Sequence, residues 1–264
     1  MPWLSTPEVS LRYVVEGEGP DTLLLLHEMG GCLESWDGLL PLLRPRCRII
    51  RYDQRGAGLS EKPRGPMTMA EAGNDAIALL DALDVRVPVV AIGTAVGGAV
   101  ALHLAAAHPG RVRGVIATSP ATGVPEAARG PLLEKADLME REGMRVAVDA
   151  GLDLGYPPPL RGDAARFAHT RAQRLAADPY GQAATSRMLA HLDMTADLAS
   201  ISCPALILAG THDLGRPPAR VRPVADAIAG AEYRVVESGH FMAIQTPELI
   251  AAEIHRFLDS LPAG

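Results

Sequence analysis

Two residues late in the chain, Asp213 and His240, and one tight turn near its middle carry the chemistry this sequence can offer. His240 lies in Glu237-Ser238-Gly239-His240-Phe241, just after a short apolar run, where an imidazole would overhang the edge of a sheet. With an ordinary pKa of ~6.5, imidazole accepts and returns a proton near neutrality. Asp213 closes Leu208-Ala209-Gly210-Thr211-His212-Asp213. A carboxylate there can hold an imidazole in one tautomer and stabilise its protonated form. An N-cap role is disfavoured, because Gly215-Arg216-Pro217-Pro218 separates Asp213 from the next helix. The turn is Gly93-Thr94-Ala95-Val96-Gly97, which has the G-x-S-x-G spacing of a strand-to-helix nucleophile elbow. Its centre holds Ala95, whose methyl group can neither attack a carbonyl nor share a proton.

Three side chains could be asked to replace the missing hydroxyl, and the bland reading wins for each. Thr94 precedes the apex and should point back into the fold. Ser119 follows the strand ending at Thr118, near the active edge but with the wrong geometry for attack. Cys32 has no neighbour that would lower its pKa. His103, His108, His169 and His255 read as structural, and His212 as incidental. Glu28 keeps two readings open: a second acid/base at the substrate, its pKa raised by burial, or a carboxylate turned away and paired with Arg55 or another cation.

The elements that must position these groups alternate. Thr22–His27, Arg48–Asp53, Val87–Gly93, Val112–Thr118, Ala205–Ala209 and Tyr233–Val236 are short apolar runs, as expected of strands buried on both faces. Arg12–Glu16 reads as an antiparallel edge strand. Helical patterns cover Thr68–Leu83, with Thr68 and Glu71 at capping-box spacing, and Gly97–His108, closed by Pro109-Gly110. Two more cover Pro218–Ile228, interrupted at Pro223, and Pro247–Leu258. This alternation predicts βαβ units and a mainly parallel α/β sheet. From about 121 to 199 there are helical patterns and the rigid stop Tyr156-Pro157-Pro158-Pro159, but no strand. Residues 1–120 and 200–264 are therefore expected to form the core, and 121–199 a helical cap over the sheet edge where open α/β sheets bind ligands.

Composition narrows the function classes. The chain has 264 residues, is 48% hydrophobic and 21% charged, and carries a formal charge of −6. It is long enough for a full α/β core, and its charge gives no basic footprint for nucleic acid or an anionic membrane. The start Met1-Pro2-Trp3-Leu4-Ser5 lacks signal-peptide character, and no apolar run approaches the ~18–20 residues of a membrane span. Three cysteines without metal-ligand spacing suit a reducing cytosol. The expectation is a cytoplasmic protein with a small-molecule substrate, no metal, no organic cofactor, no nucleic-acid or membrane partner, and a homodimer left open.

Four motifs in order now suggest a family. They are His27-Glu28-Met29-Gly30-Gly31, Asp53-Gln54-Arg55-Gly56-Ala57-Gly58-Leu59-Ser60, the strand end before Asp213 and the loop carrying His240. With the elbow, the chain resembles the α/β-hydrolase superfamily, particularly its small lactonase and esterase branch with a helical cap, the 3-oxoadipate enol-lactonase-like proteins. The resemblance implies that His240 and Asp213 are catalytic and that Ala95 fills the nucleophile position. It places backbone oxyanion donors on Met29 and Val96, and His27 and Gly30 beside substrate. Glu28 stands where the family has glycine.

Three functions follow. In the first, His240 and Asp213, with or without Glu28, run non-covalent acid/base chemistry on a small ester, lactone or C–C bond. In the second, a serine esterase or lactonase has been disabled by an engineered serine-to-alanine change at position 95. In the third, a non-catalytic relative keeps the pocket for binding. The first is preferred, because Glu28 and Ala95 both depart from the pattern and one engineered change explains only one of them. A pure receptor has no need of a fixed imidazole tautomer. An anionic substrate would find cap arginines, with Arg129, Arg141 and Arg161 as candidates.

Overall fold

The computed structural model describes residues 2–262. Its strands are β1 (Trp3–Ser5), β2 (Ser10–Glu16), β3 (Asp21–Leu26), β4 (Cys47–Tyr52), β5 (Val89–Thr94), β6 (Val112–Thr118), β7 (Ala205–Gly210) and β8 (Glu232–Val236). They form one eight-stranded sheet in the order β1-β2-β4-β3-β5-β6-β7-β8. Every pairing from β4 through β8 is parallel, while β1 with β2 and β2 with β4 are antiparallel.

Continuous apolar runs are required here because both faces of the sheet are covered. Successive strand side chains point to opposite faces. Leu24, Leu26 and Ala91 therefore join one buried cluster, and Leu23, Leu25, Val90 and Ile92 join the other. The principal helices are α1 (Met69–Ala82), α2 (Val96–Ala107), α3 (Glu126–Glu142), α4 (Arg145–Gly155), α5 (Ala164–Leu175), α6 (Pro179–His191), α7 (Pro218–Asp226) and α8 (Pro247–Ser260). Helices α1 and α2 cover the first face, and α8 covers the second with Ile250, Ala251, Ile254, Phe257 and Leu258, a stripe at helical spacing. Thr68 caps α1 as expected: its hydroxyl accepts from Glu71 N–H at 3.2 Å, and Glu71 accepts from Thr68 N–H at 2.8 Å.

Three expectations shift. The strand expected at Arg12–Glu16 is β2, but it is not the edge, because β1 pairs along its outer side. Three residues are too few to show a period, so β1 left no signal. Strand β5 begins at Val89 rather than Val87, since Pro88 has no N–H to give the ladder. Helix α7 contains Pro223 and ends at Asp226, two residues short of Ile228. Between β6 and β7 the described residues form helices only: α3 to α6, a 3₁₀ turn at Pro158–Leu160 and a short helix at Thr195–Ser200. Arg187 of α6 holds α3 through Asp137 (2.6 Å) and Glu140 (2.7 Å).

Candidate active site

Strand β5 runs into α2 through Ala95, whose φ of 52° and ψ of −112° lie in a region that L-residues seldom occupy. Such strain persists only where the surroundings over-determine it. Ala95 N–H donates to Thr118 O at 2.9 Å, while Ala95 O accepts from Ala99 N–H (3.0 Å) and Ala121 N–H (2.9 Å). Flanking side chains are excluded: a Cβ on Gly93 would stand 2.1 Å from Gly97 O, and one on Gly97 2.1 Å from Leu26 O. The turn that presents a nucleophile is fully built around a methyl group.

His240 and Asp213, 27 residues apart, meet at the sheet edge, with His240 Nδ1 2.6 Å from Asp213 Oδ2. With Asp213 ionised, Nδ1 carries the proton and Nε2 is left as the basic nitrogen. Asp213 also accepts from Ser119 Oγ (2.8 Å) and Arg216 N–H (2.8 Å). Burial works to raise its pKa, but the His240 contact and the Arg216 and Ser119 hydrogen bonds outweigh it and hold the carboxyl below its ordinary value. His240 is held in turn by the end of α4. His240 N–H donates to Gly155 O at 2.9 Å, Gln245 Nε2 donates to the same oxygen at 3.0 Å, and Gln245 Oε1 accepts from Phe241 N–H at 3.0 Å.

Ala95, Val96, Met29, Gly30, Asp213 and His240 all line one cavity of about 310 Å³. The N–H groups of Met29 and Val96 have no partner among the described residues, so both remain available as donors. One open reading is decided, in favour of Glu28 turned away and paired with a cation, and one expectation is corrected. The Glu28 carboxylate is not in this cavity: it accepts from Arg174 Nη2 at 2.7 Å and Ser35 Oγ at 3.2 Å, in a buried ion pair between the loop after β3 and helix α5. The cation is Arg174 rather than Arg55, which grips Asp75 at 2.6 Å. The His27 ring is spent on the fold, with Nδ1 2.8 Å from Glu28 O and Nε2 accepting from Gln54 N–H at 3.0 Å. Gly30 does border the cavity.

The chain matches a protein-family profile described as alpha/beta hydrolase fold over residues 21–145. The crystal structure of a hydrolase from Pseudomonas aeruginosa PA01 superposes with a TM-score of 0.90 at 30% identity, over 98% of each chain. The enol-lactonase from Burkholderia xenovorans LB400 superposes with a TM-score of 0.91 at 28% identity, over 98% of this chain and 100% of that one. The chain belongs to the α/β-hydrolase superfamily. Within it, 3-oxoadipate enol-lactonase 2 of Acinetobacter baylyi is 26% identical over 247 residues, 93% of this chain and 91% of that protein.

The cations of this α/β-hydrolase's cavity differ from those expected. Arg129 pairs with Glu126, and Arg161 is held by Asp153 and Tyr156 O; neither lines the cavity, nor does Arg141. Lys135, Arg174, Arg216 and Arg220 do. Lys135 forms no ion pair among the described residues, and Asp213 is the only carboxylate in the lining. Arg216 donates to Pro120 O (2.8 Å) and Gly123 O (3.0 Å), while burial and Arg220 pull its pKa down to about 10, so it stays charged.

No substitute nucleophile emerges. Thr94 accepts from Thr118 Oγ1 inside the fold at 2.9 Å. Burial pushes the Cys32 thiol well up, with Glu34 adding to the effect. Ser119 spends its hydroxyl on Asp213. Cys32, Glu34 and Asp53 lie close enough to share a cation, but Arg12 already donates to Glu34 (2.8 Å) and Asp53 (2.6 Å) there. His212 pairs with Glu237 on the surface. Gly155, Gln245 and Arg174 went unseen in the sequence because each acts through a contact more than 70 positions away, with no local pattern to mark it.

Proposed function

We propose that this α/β-hydrolase acts on a small carbonyl compound by non-covalent acid/base chemistry, with His240 as the base and Asp213 as the group that orients it. The observation that carries this reading is the 2.6 Å His240–Asp213 pair sharing a cavity with Ala95. The substrate carbonyl oxygen sits between the N–H groups of Met29 and Val96. His240 Nε2 takes a proton from a water that attacks the carbonyl carbon, and the resulting imidazolium returns it to the departing oxygen. The two N–H donors stabilise the oxyanion as it forms, each worth ~3–4 kcal/mol in comparable sites. The cation-rich lining favours a substrate with a carboxylate, and lactones are the class suggested by the enol-lactonases it resembles.

The second reading, a serine esterase or lactonase changed to alanine at position 95, is favoured by one observation. The strained elbow is kept at full cost with no hydroxyl to present. The codon of the native gene decides between them, since a serine codon would remove the motive for a non-covalent route. Turnover of phenyl acetate and γ-butyrolactone by the chain as it stands should be lost in His240→Ala. Turnover that survives would remove the base from the mechanism.

A further inference from the structure

Gln182 on α6 is 4% exposed, yet its side-chain amide makes no hydrogen bond among the described residues. Its surroundings offer open space rather than a partner. Gln182 lines the cavity shared by Ala95 and His240 and also a void of about 30 Å³ behind the oxyanion loop. It faces that loop at Gly30, where a Cβ would stand 3.5 Å from Gln182 Oε1 and 3.0 Å from Arg174 Nη1. The charge of Arg174 is already committed to Glu28. Ser186, one turn along, donates its hydroxyl to Gln182 O at 2.9 Å, so its proton is committed too.

A carboxamide presents a donor and an acceptor side by side whichever way it is turned. The amide opens onto the cavity, and once a ligand fills that space and displaces water a half-paired amide is costly; a ligand that only accepts then satisfies half of this group and leaves Oε1 bare. We propose that Gln182 is a binding residue for a substrate group that carries a hydrogen-bond donor beside an acceptor: a carboxamide, carbamate or ureido group. This rests on reading the cavity as the substrate site, and it names the part of the substrate that lies against the oxyanion loop. Lys135 and Arg216 serve a carboxylate elsewhere in the same cavity.

The test uses succinamate and monomethyl succinate, which share the same charge and carbon backbone; the ester is larger by one methyl group and lacks the amide donor. Binding to the native chain is measured by calorimetry. Succinamate should bind about tenfold more tightly or better, since the ester displaces water from the cavity yet leaves Gln182 Oε1 unpaired. The ratio should fall to near one in Gln182→Met, with ester affinity within twofold of native. The Nε2 amide resonances of Gln182 in the native chain should move with succinamate and stay put with the ester, a readout that needs no variant to fold. Equal binding of the two probes, a preference that survives in Gln182→Met, or no binding of either at millimolar concentration overturns the proposal. In His240→Ala the ratio should persist while turnover disappears, so failure of the amide site and failure of the base remain distinct.

Discussion

Ala95→Ser tests whether every other part of a covalent machine is in place. The substitution adds one hydroxyl at a backbone already held at φ 52°, so the conformational cost is present before the change. The side chain opens on a cavity of about 310 Å³, so the fold should lose well under 1 kcal/mol. The new oxygen would face a base held 2.6 Å from its carboxylate and two unpaired backbone donors. The base is common to both chains, and what the variant adds is a nucleophile held in place instead of a free water; a gain of ~10²–10⁴ from that positioning is equivalent to about 3–5 kcal/mol of barrier. Turnover of p-nitrophenyl acetate should therefore rise by about 10²–10⁴ over the native chain, with a burst of one nitrophenol per chain and an acetyl adduct on residue 95. Adding His240→Ala should abolish both burst and adduct. A well-folded Ala95→Ser chain that shows neither would refute the claim that His240 is poised over the elbow.

Two further outcomes concern the scaffold. Removing one partner of the buried Glu28–Arg174 pair, as in Arg174→Met, strands a charge and should cost about 3–5 kcal/mol in denaturant unfolding. Glu28→Leu with Arg174→Met should recover most of it, and equal costs for the single and double variants would refute the coupling. Burial opposes ionisation of Glu34, but Arg12 and Cys32 outweigh it and hold its pKa down to about 2. A carboxyl depressed in the folded state stabilises above its ordinary value of 4.5, and that contribution fades as pH falls toward 2. Glu34→Gln should thus melt below the native chain at pH 7, with the gap closing between pH 4.5 and 2. A gap that is constant across this range would show the ion pair to be idle.

The sheet was legible because burial on both faces forces unbroken apolar runs, as at Leu23–Leu26, and because Thr68 and Glu71 mark a helix start within four residues. The site was legible where a short motif carries its own backbone geometry, as at Gly93–Gly97. Legibility ended where function depends on distant packing. Nothing near Glu28 says that Arg174, 146 residues later, turns its carboxylate out of the cavity. A motif match placed His27 at the substrate, yet its ring nitrogens serve Glu28 O and Gln54 N–H. Gln182 reads as an ordinary polar helix residue until its neighbours are seen to leave it unpaired.

Gly155 O, at the end of α4, receives both His240 N–H and Gln245 Nε2. Under the proposed mechanism the helices between β6 and β7 are therefore part of the proton-transfer apparatus, and swapping them is not a neutral way to alter specificity. A transplanted set of helices that fits the rim but lacks a carbonyl at that spot leaves two donors orphaned and the imidazole without its mooring. Any chimera must carry that single oxygen across before its pocket can be judged.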